Sequence, residues 1–283
     1  MGCFLVALAG VSALVPDLWF SGRRDAYGAI DLEHVLNCAT RANSCYHEPH
    51  TIRIEFGSHV EVVDFPGSGM RVFVDRDPEG EGPQWVVLRG TANLPNVFAD
   101  LDFMEREDHE LGIRVHRGFD EALQECLPWV IEKLQRDRPT YVTGHSMGGS
   151  VAVLLAAILE HRGYPEVSAV TFGQPKVTDS HGAELLGEHD ILRVVFDDDP
   201  VPLVPPASVA DHHLEVYHHF GGEIILREDG HFYYTEAHDS ERLSVAEFWS
   251  NLTHLHPKSH ILGNSYLPAL RVAKERAEAM VGG

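Results

Sequence analysis

The chain predicts an α/β domain built on a mostly parallel central sheet with helices on both faces. Three observations point there. Strand-like and helix-like segments alternate from Trp85 to Phe196, the pattern of successive strand–helix–strand crossovers. The stretch Tyr141-Val142-Thr143-Gly144-His145-Ser146-Met147-Gly148-Gly149 runs from β-favouring residues through Gly-x-Ser-x-Gly into the apolar run Val151–Leu159, which reads as strand, sharp turn and buried helix. Of 283 residues, 44% are hydrophobic, enough for a full core, and no linker-like stretch divides them. One domain over residues 1–283 is therefore expected, and its functional groups belong at the carboxyl ends of the strands.

Taken in order, Asp31 to Ala42 predicts a helix, with Leu32, Val35, Leu36 and Ala39 on one stripe. Ile52–Phe56, Val60–Phe65 and Met70–Val74 read as short strands, the last two joined by a turn at Pro66-Gly67-Ser68-Gly69. Asp75 to Pro83 is acidic and glycine-rich, a solvated loop. Trp85–Leu88 is a buried strand ending at Arg89-Gly90-Thr91. Phe119–Gln135 predicts an amphipathic helix interrupted by Pro128. Strands follow at Thr140–Thr143, Val167–Phe172 and Ile191–Phe196, then shorter ones around Glu215–Phe220, Glu223–Leu226 and His231–Thr235. Ser244–Leu252 looks helical, and Leu267–Met280 predicts a last helix with Pro268 in its first turn.

Residues 1–30 form an apolar N-terminal extension. Its apolar stretch from Met1 to Phe20 is too short, and too broken by Gly10, Pro16 and Asp17, to read as a membrane span. It reads either as a segment packed on the domain or as a degenerate export signal without a basic leader, so an exported or envelope location and a cytoplasmic one are equally open. The formal net charge is -21, which argues against nucleic acid and against strong adsorption to anionic membranes. Cys3, Cys38, Cys45 and Cys126 show no metal spacing, and a bridge between Cys38 and Cys45 is geometrically unfavourable on or near one helix.

The turn at Ser146 carries the chemistry. A sharp strand-to-helix turn projects the hydroxyl at the top of the sheet, with the positive end of the helix beside it. Gly144 and Gly148 are needed because a Cβ there would strike a neighbouring element. The Met147 N–H faces a developing oxyanion, and Thr91, after the glycine at a second strand end, supplies another N–H. Serine needs a base oriented by a carboxylate, in the chain order Ser, acid, His. Asp197, Asp198 and Asp199 sit at a strand end after Ser146. Asp199 is favoured because Pro200-Val201-Pro202 fixes its direction, whereas the other two are expected to face solvent. The base comes from His254, His256 or His260. His212, His213, His218 and His219 form a second cluster, read as structural or solvated rather than metal-binding, because adjacent strand residues point in alternating directions.

Several ordered blocks resemble the class 3 lipases, the fungal-lipase-like branch of the α/β-hydrolases. They are Leu88-Arg89-Gly90-Thr91, Asn96-Val97-Phe98-Ala99-Asp100-Leu101, Val115-His116-Arg117-Gly118-Phe119, Thr143 to Gly149, Thr171 to Val177, Asp199-Pro200-Val201-Pro202 and Tyr217 to Glu223. The resemblance covers residues 31–270. It implies a serine carboxylic-ester hydrolase acting on acylglycerols, with phospholipase A1 or a feruloyl-type esterase as alternatives, and a non-catalytic interaction module as the rival of another class. It implies Ser146 as nucleophile, Asp199 as acid, His260 as base with His256 as the alternative, Thr91 and Met147 as oxyanion donors, and His219 as structural. Leu94, Val97, Phe98 and His145 are expected to line the substrate site. The partner is a small-molecule or lipid ester, with possible interfacial contact with lipid, and no metal or organic cofactor is required. The segment from Ala92 to Phe98 is short and contains Pro95, so a reduced lid is expected.

Overall fold

The computed structural model describes residues 30–76, 82–90, 104–205, 217–235 and 257–281. The apolar N-terminal extension, the lid segment, the helix expected at Ser244–Leu252, and His212, His213, His254 and His256 lie outside these residues.

Helix α1 (Leu32–Ser44) starts where Asp31 accepts a 2.9 Å bond from the His34 amide, and it buries Leu32, Val35, Cys38, Ala39 and Ala42. The strand expected at Ile52–Phe56 is instead helix α2 (Pro49–Phe56). Ile52, Ile54 and Phe56 alternate as a strand would, but Pro49 presets the first helical turn, and Ile54 is 71% exposed. A short apolar run does not separate the two periods, and here the proline decides.

The main sheet has the order β1-β2-β3-β6-β7-β8-β9-β10, from β1 (Glu61–Phe65), β2 (Met70–Arg76), β3 (Gln84–Arg89), β6 (Thr140–His145), β7 (Val167–Phe172), β8 (Ile191–Phe196), β9 (Gly222–Leu226) and β10 (Phe232–Thr235). Strands β3, β6, β7, β8 and β9 pair parallel in succession, while β1, β2 and β10 add antiparallel edges. A separate hairpin, β4 (Glu105–Asp108) with β5 (Ile113–His116), was not foreseen: its outward residues are charged and β4 is half exposed, so it lacks an apolar signature. The expected strand at Glu215–Phe220 is, in its described part, only a single bridge from His218 to Thr178.

Alternation along the strands splits the core into two layers. Val72 and Val74 of β2 and Val86 and Leu88 of β3 face helices α3 (Arg117–Lys133) and α4 (Met147–His161). Phe73, Trp85 and Val87 face the opposite way, onto α1 and α6 (Tyr266–Val281). Helix α4 is buried continuously from Gly148 to Leu159, as its unbroken apolar run requires. Helix α3 runs through Pro128, whose ring is on the exposed side. A short helix α5 (Ser180–Leu185) follows β7, capped by Asp179, which accepts from the Gly182 amide at 2.7 Å. Cys38, Cys45 and Cys126 are free and buried, and burial pushes the Cys45 thiol up to about 12, which removes its nucleophilicity. Among the described residues, no helix is long and apolar enough to cross a membrane.

Candidate active site

Parallel pairing brings the carboxyl ends of β3, β6, β7 and β8 to one edge. Ser146 is the first residue beyond β6 and the N-cap of α4, with φ 59° and ψ −134°, a conformation that L residues rarely adopt. The surroundings over-determine it. The Ser146 amide donates to the Phe172 carbonyl of β7 at 3.0 Å. A Cβ on Gly144 would lie 2.3 Å from the Gly148 carbonyl oxygen, and one on Gly148 would lie 2.4 Å from the Leu88 oxygen of β3. The elbow is thus wedged between two strands at positions where only glycine fits. A Cβ on Gly90 would come within 3.1 Å of the Met147 nitrogen and 3.2 Å of the Gly148 nitrogen, so the main chain leading into Thr91 packs against the first amides of α4.

Asp199 lies just past β8, and its side chain collects three donors. Val201 N–H donates to Oδ1 at 2.8 Å, His260 Nδ1–H donates to Oδ2 at 2.8 Å, and the Tyr266 hydroxyl also donates to Oδ2. Asp197 is partly exposed near Arg227 at 3.5 Å, and Asp198 is exposed. The carboxylate brought to the histidine is therefore Asp199, while its neighbours face outward. Tyr266 is fully buried, and burial together with the Asp199 charge holds its hydroxyl well above the usual tyrosine range, so it remains a donor.

His260 closes a short 3-10 turn (Pro257–His260) before α6. Its ring packs against Gly173, where φ is +54° and a Cβ would sit 2.8 Å from Asp199 Oδ2 and from His260 Cε1 and Nδ1. Ser146, Asp199 and His260 are 3%, 2% and 1% exposed, a water-poor setting in which each polar contact counts for more.

His145 departs from the expectation that it lines the substrate site. It is 1% exposed and both ring nitrogens are used inside the protein: Tyr46 O–H bonds Nδ1 at 2.7 Å and Nε2 bonds the His260 carbonyl at 2.7 Å. The sequence placed it one residue from the nucleophile but gave no sign of partners 99 and 115 positions away. Gly173, Tyr266 and Tyr46 are the contributors that motif spacing passed over. Gly173 left a trace, as a glycine closing a strand. His219 is buried, and its Nε2 bonds the Pro202 carbonyl at 2.7 Å, bracing the turn after Asp199. Burial, then the charges of Arg193 and Lys176, hold it neutral. Among the described residues no three His, Cys, Asp or Glu side chains gather as metal ligands would. Thr91, Leu94, Val97, Phe98 and His256 lie outside the described residues.

A strained serine at a helix start and a histidine–carboxylate pair thus share one sheet edge, the parts that acyl transfer requires. Residues 85–209, from β3 through the Asp199 turn, match the sequence model of the family described as Lipase (class 3). That match spans 125 of the 283 residues. Around this class 3 lipase segment, 130 residues are 35% identical to the secreted mono- and diacylglycerol lipase 1 of Fusarium solani, covering 43% of this chain and 39% of that protein. An overlapping alignment of 167 residues is 32% identical to the chloroplastic phospholipase A1 PLIP1 of Arabidopsis thaliana, covering 54% of this chain and 26% of that one. The first four curated relatives are matched over 39–44% of their own length. The fold is that of lipase II from Rhizopus niveus, with a TM-score of 0.66 at 21% identity over 84% of this chain and 95% of that one. The class 3 lipase segment therefore sits in an α/β-hydrolase fold.

Proposed function

We propose that the protein is a serine carboxylic-ester hydrolase that acts on acylglycerols. The observation that carries this reading is the 2.8 Å bond from His260 Nδ1 to Asp199 Oδ2, at the strand edge where Ser146 occupies its elbow. His260 takes the Ser146 proton as the hydroxyl attacks the ester carbonyl. Asp199 holds the ring in the tautomer that leaves Nε2 as the acceptor and stabilises the imidazolium that forms. The N–H groups of Met147 and Thr91 receive the oxyanion, helped by the positive end of α4. His260 then protonates the leaving alcohol, and water attacks the acyl-enzyme by the same path in reverse. On sequence grounds alone, Leu94, Val97 and Phe98 are assigned to the acyl group, and weak activation at an oil–water interface is expected. The relative named as a secreted lipase supports an exported enzyme.

The test is hydrolysis of p-nitrophenyl esters and of dioleoylglycerol by wild type, Ser146→Ala, His260→Ala and His256→Ala. Loss of about 10³-fold or more in the Ser146 and His260 variants alone fits this reading. Inactivity of the wild type on every ester, together with no covalent labelling of Ser146 by an organophosphonate, would leave an interaction module. The relative named as a phospholipase A1 favours a second reading, in which phosphatidylcholine is cleaved faster than diacylglycerol.

A further inference from the structure

The residue before the nucleophile is tied to the residue that carries the base. His145 ends β6, its Nε2 lies 2.7 Å from the His260 carbonyl oxygen, and its Nδ1 lies 2.7 Å from the Tyr46 hydroxyl. A carbonyl only accepts, so Nε2 carries the hydrogen. Burial, then the proximity of His260, holds the His145 pKa well below its usual value, so the ring is neutral and Nδ1 is an acceptor. The Tyr46 hydroxyl must then donate, and burial keeps it protonated by raising its pKa. Every hydrogen in the chain Tyr46 O–H, His145 Nε2–H, His260 C=O is thereby assigned. The two imidazoles also stack, with centroids 4.4 Å apart and planes 31° from parallel. Arg89, at the end of β3, lies over the Tyr46 ring at 5.8 Å.

We propose that Tyr46 and His145 are positioning residues that lock the His260 main chain in register with the Ser146 elbow. This role presupposes Ser146 as nucleophile and His260 as base. The His260 side chain is anchored at one end by Asp199, which fixes ring direction but not the distance from the elbow. The carbonyl bond supplies the second anchor, and it comes from the residue covalently joined to Ser146. The base therefore follows any movement of the nucleophile through a single side chain. Both His145 nitrogens are committed, to Tyr46 and to the His260 carbonyl, so it takes no part in proton transfer and acts only by holding His260. The His260 carbonyl, which only accepts, selects the tautomer with the hydrogen on Nε2, and the Tyr46 hydroxyl donates to the Nδ1 lone pair this leaves.

The test compares wild type with Tyr46→Phe, His145→Leu and His145→Gln. Glutamine keeps one donor and one acceptor in the same place, whereas leucine keeps volume alone. Steady-state p-nitrophenyl ester hydrolysis and the rate of Ser146 labelling by an organophosphonate are measured on each, with thermal melting as a check of folding. The expected result is a fall in kcat of about tenfold or more for Tyr46→Phe and His145→Leu with KM within twofold, a parallel fall in labelling rate, and recovery to within about threefold in His145→Gln. Equal kcat and labelling rate in wild type, Tyr46→Phe and His145→Leu would overturn the positioning role while leaving the hydrolase reading intact. A glutamine variant as impaired as the leucine one, in folded protein, would also overturn it. A wild type that neither turns over nor labels would remove the hydrolase reading and this proposal with it.

Discussion

Replacing Gly173 by alanine should separate backbone strain from damage to the site. The added Cβ would lie 2.8 Å from Asp199 Oδ2 and from His260 Cε1 and Nδ1. Non-bonded carbon contacts are comfortable at about 3.5 Å, so the imidazole or the carboxylate must retreat by about 0.7 Å. A displacement of about 1 Å in a reacting group costs about 10²-fold in rate, so this smaller one should lower kcat by about 10- to 30-fold. Stability falls on two counts. The φ of +54° costs an alanine roughly 1–2 kcal/mol, and forcing a methyl into a filled site adds about 1–3 kcal/mol. Gly163→Ala is the matched control: its φ is +78° and nothing lies within 4 Å of the added carbon, so it should lose only the backbone part, with full activity. The assay is kcat on a p-nitrophenyl ester together with urea unfolding of both variants. If Gly173→Ala keeps kcat within twofold of Gly163→Ala, the close packing of Gly173 on the base and acid does not constrain catalysis, and the reasoning fails.

Three further outcomes follow from the same geometry. Tyr266→Phe removes a buried donor to a carboxylate and should lower stability by about 1.5–3 kcal/mol with a drop in kcat, read by urea midpoint and ester hydrolysis. Asp199→Asn should abolish most activity by favouring the wrong histidine tautomer, whereas Asp198→Asn, an exposed change, should stay within twofold in the same assay. His145 and His219 are both held neutral, with pKa values well below 6.5, so the unfolded chain binds more protons than the folded one once pH falls below about 6.5. The stability they allow is fully present above that pH and is lost on acidification, by up to about 1.4 kcal/mol per pH unit for each residue. Urea midpoints at pH 7.5, 6.5 and 5.5 should show the decline, and His219→Gln should flatten it.

Local chemistry carried much of this into the sequence. The Ser146 turn, the glycines that permit it and the alternation of Val72, Phe73 and Val74 are short-range features, legible because each residue's neighbour in sequence is also its neighbour in space. Asp199 was distinguishable from Asp197 and Asp198 by the prolines that follow it. What could not be read was long-range or marginal. Residues Ile52 to Phe56 satisfied two periods at once, and Pro49, outside the window, settled the matter. Hairpin β4–β5 is too polar to announce itself. The second ring of side chains, Tyr46, Gly173 and Tyr266, takes its meaning from partners many positions away. No spacing rule marks a tyrosine whose only distinction is what lies opposite it.

The His145–His260 bond spans 115 positions and the Asp199–His260 bond spans 61. During synthesis, then, the elbow and the sheet that frames it leave the ribosome well before the residue proposed to activate the serine. A growing chain that has folded as far as β8 would present a bare hydroxyl with no base, chemically as quiet as any other serine. On the proposed mechanism, ester cleavage would begin only when the segment carrying His260 returns across the sheet and docks beside β6 and β7. Activity would for that reason be a late signal: it would report that the segment around His260 has found its place, and a ribosome stalled near position 250 would release a protein with most of the described strands and none of the reactivity.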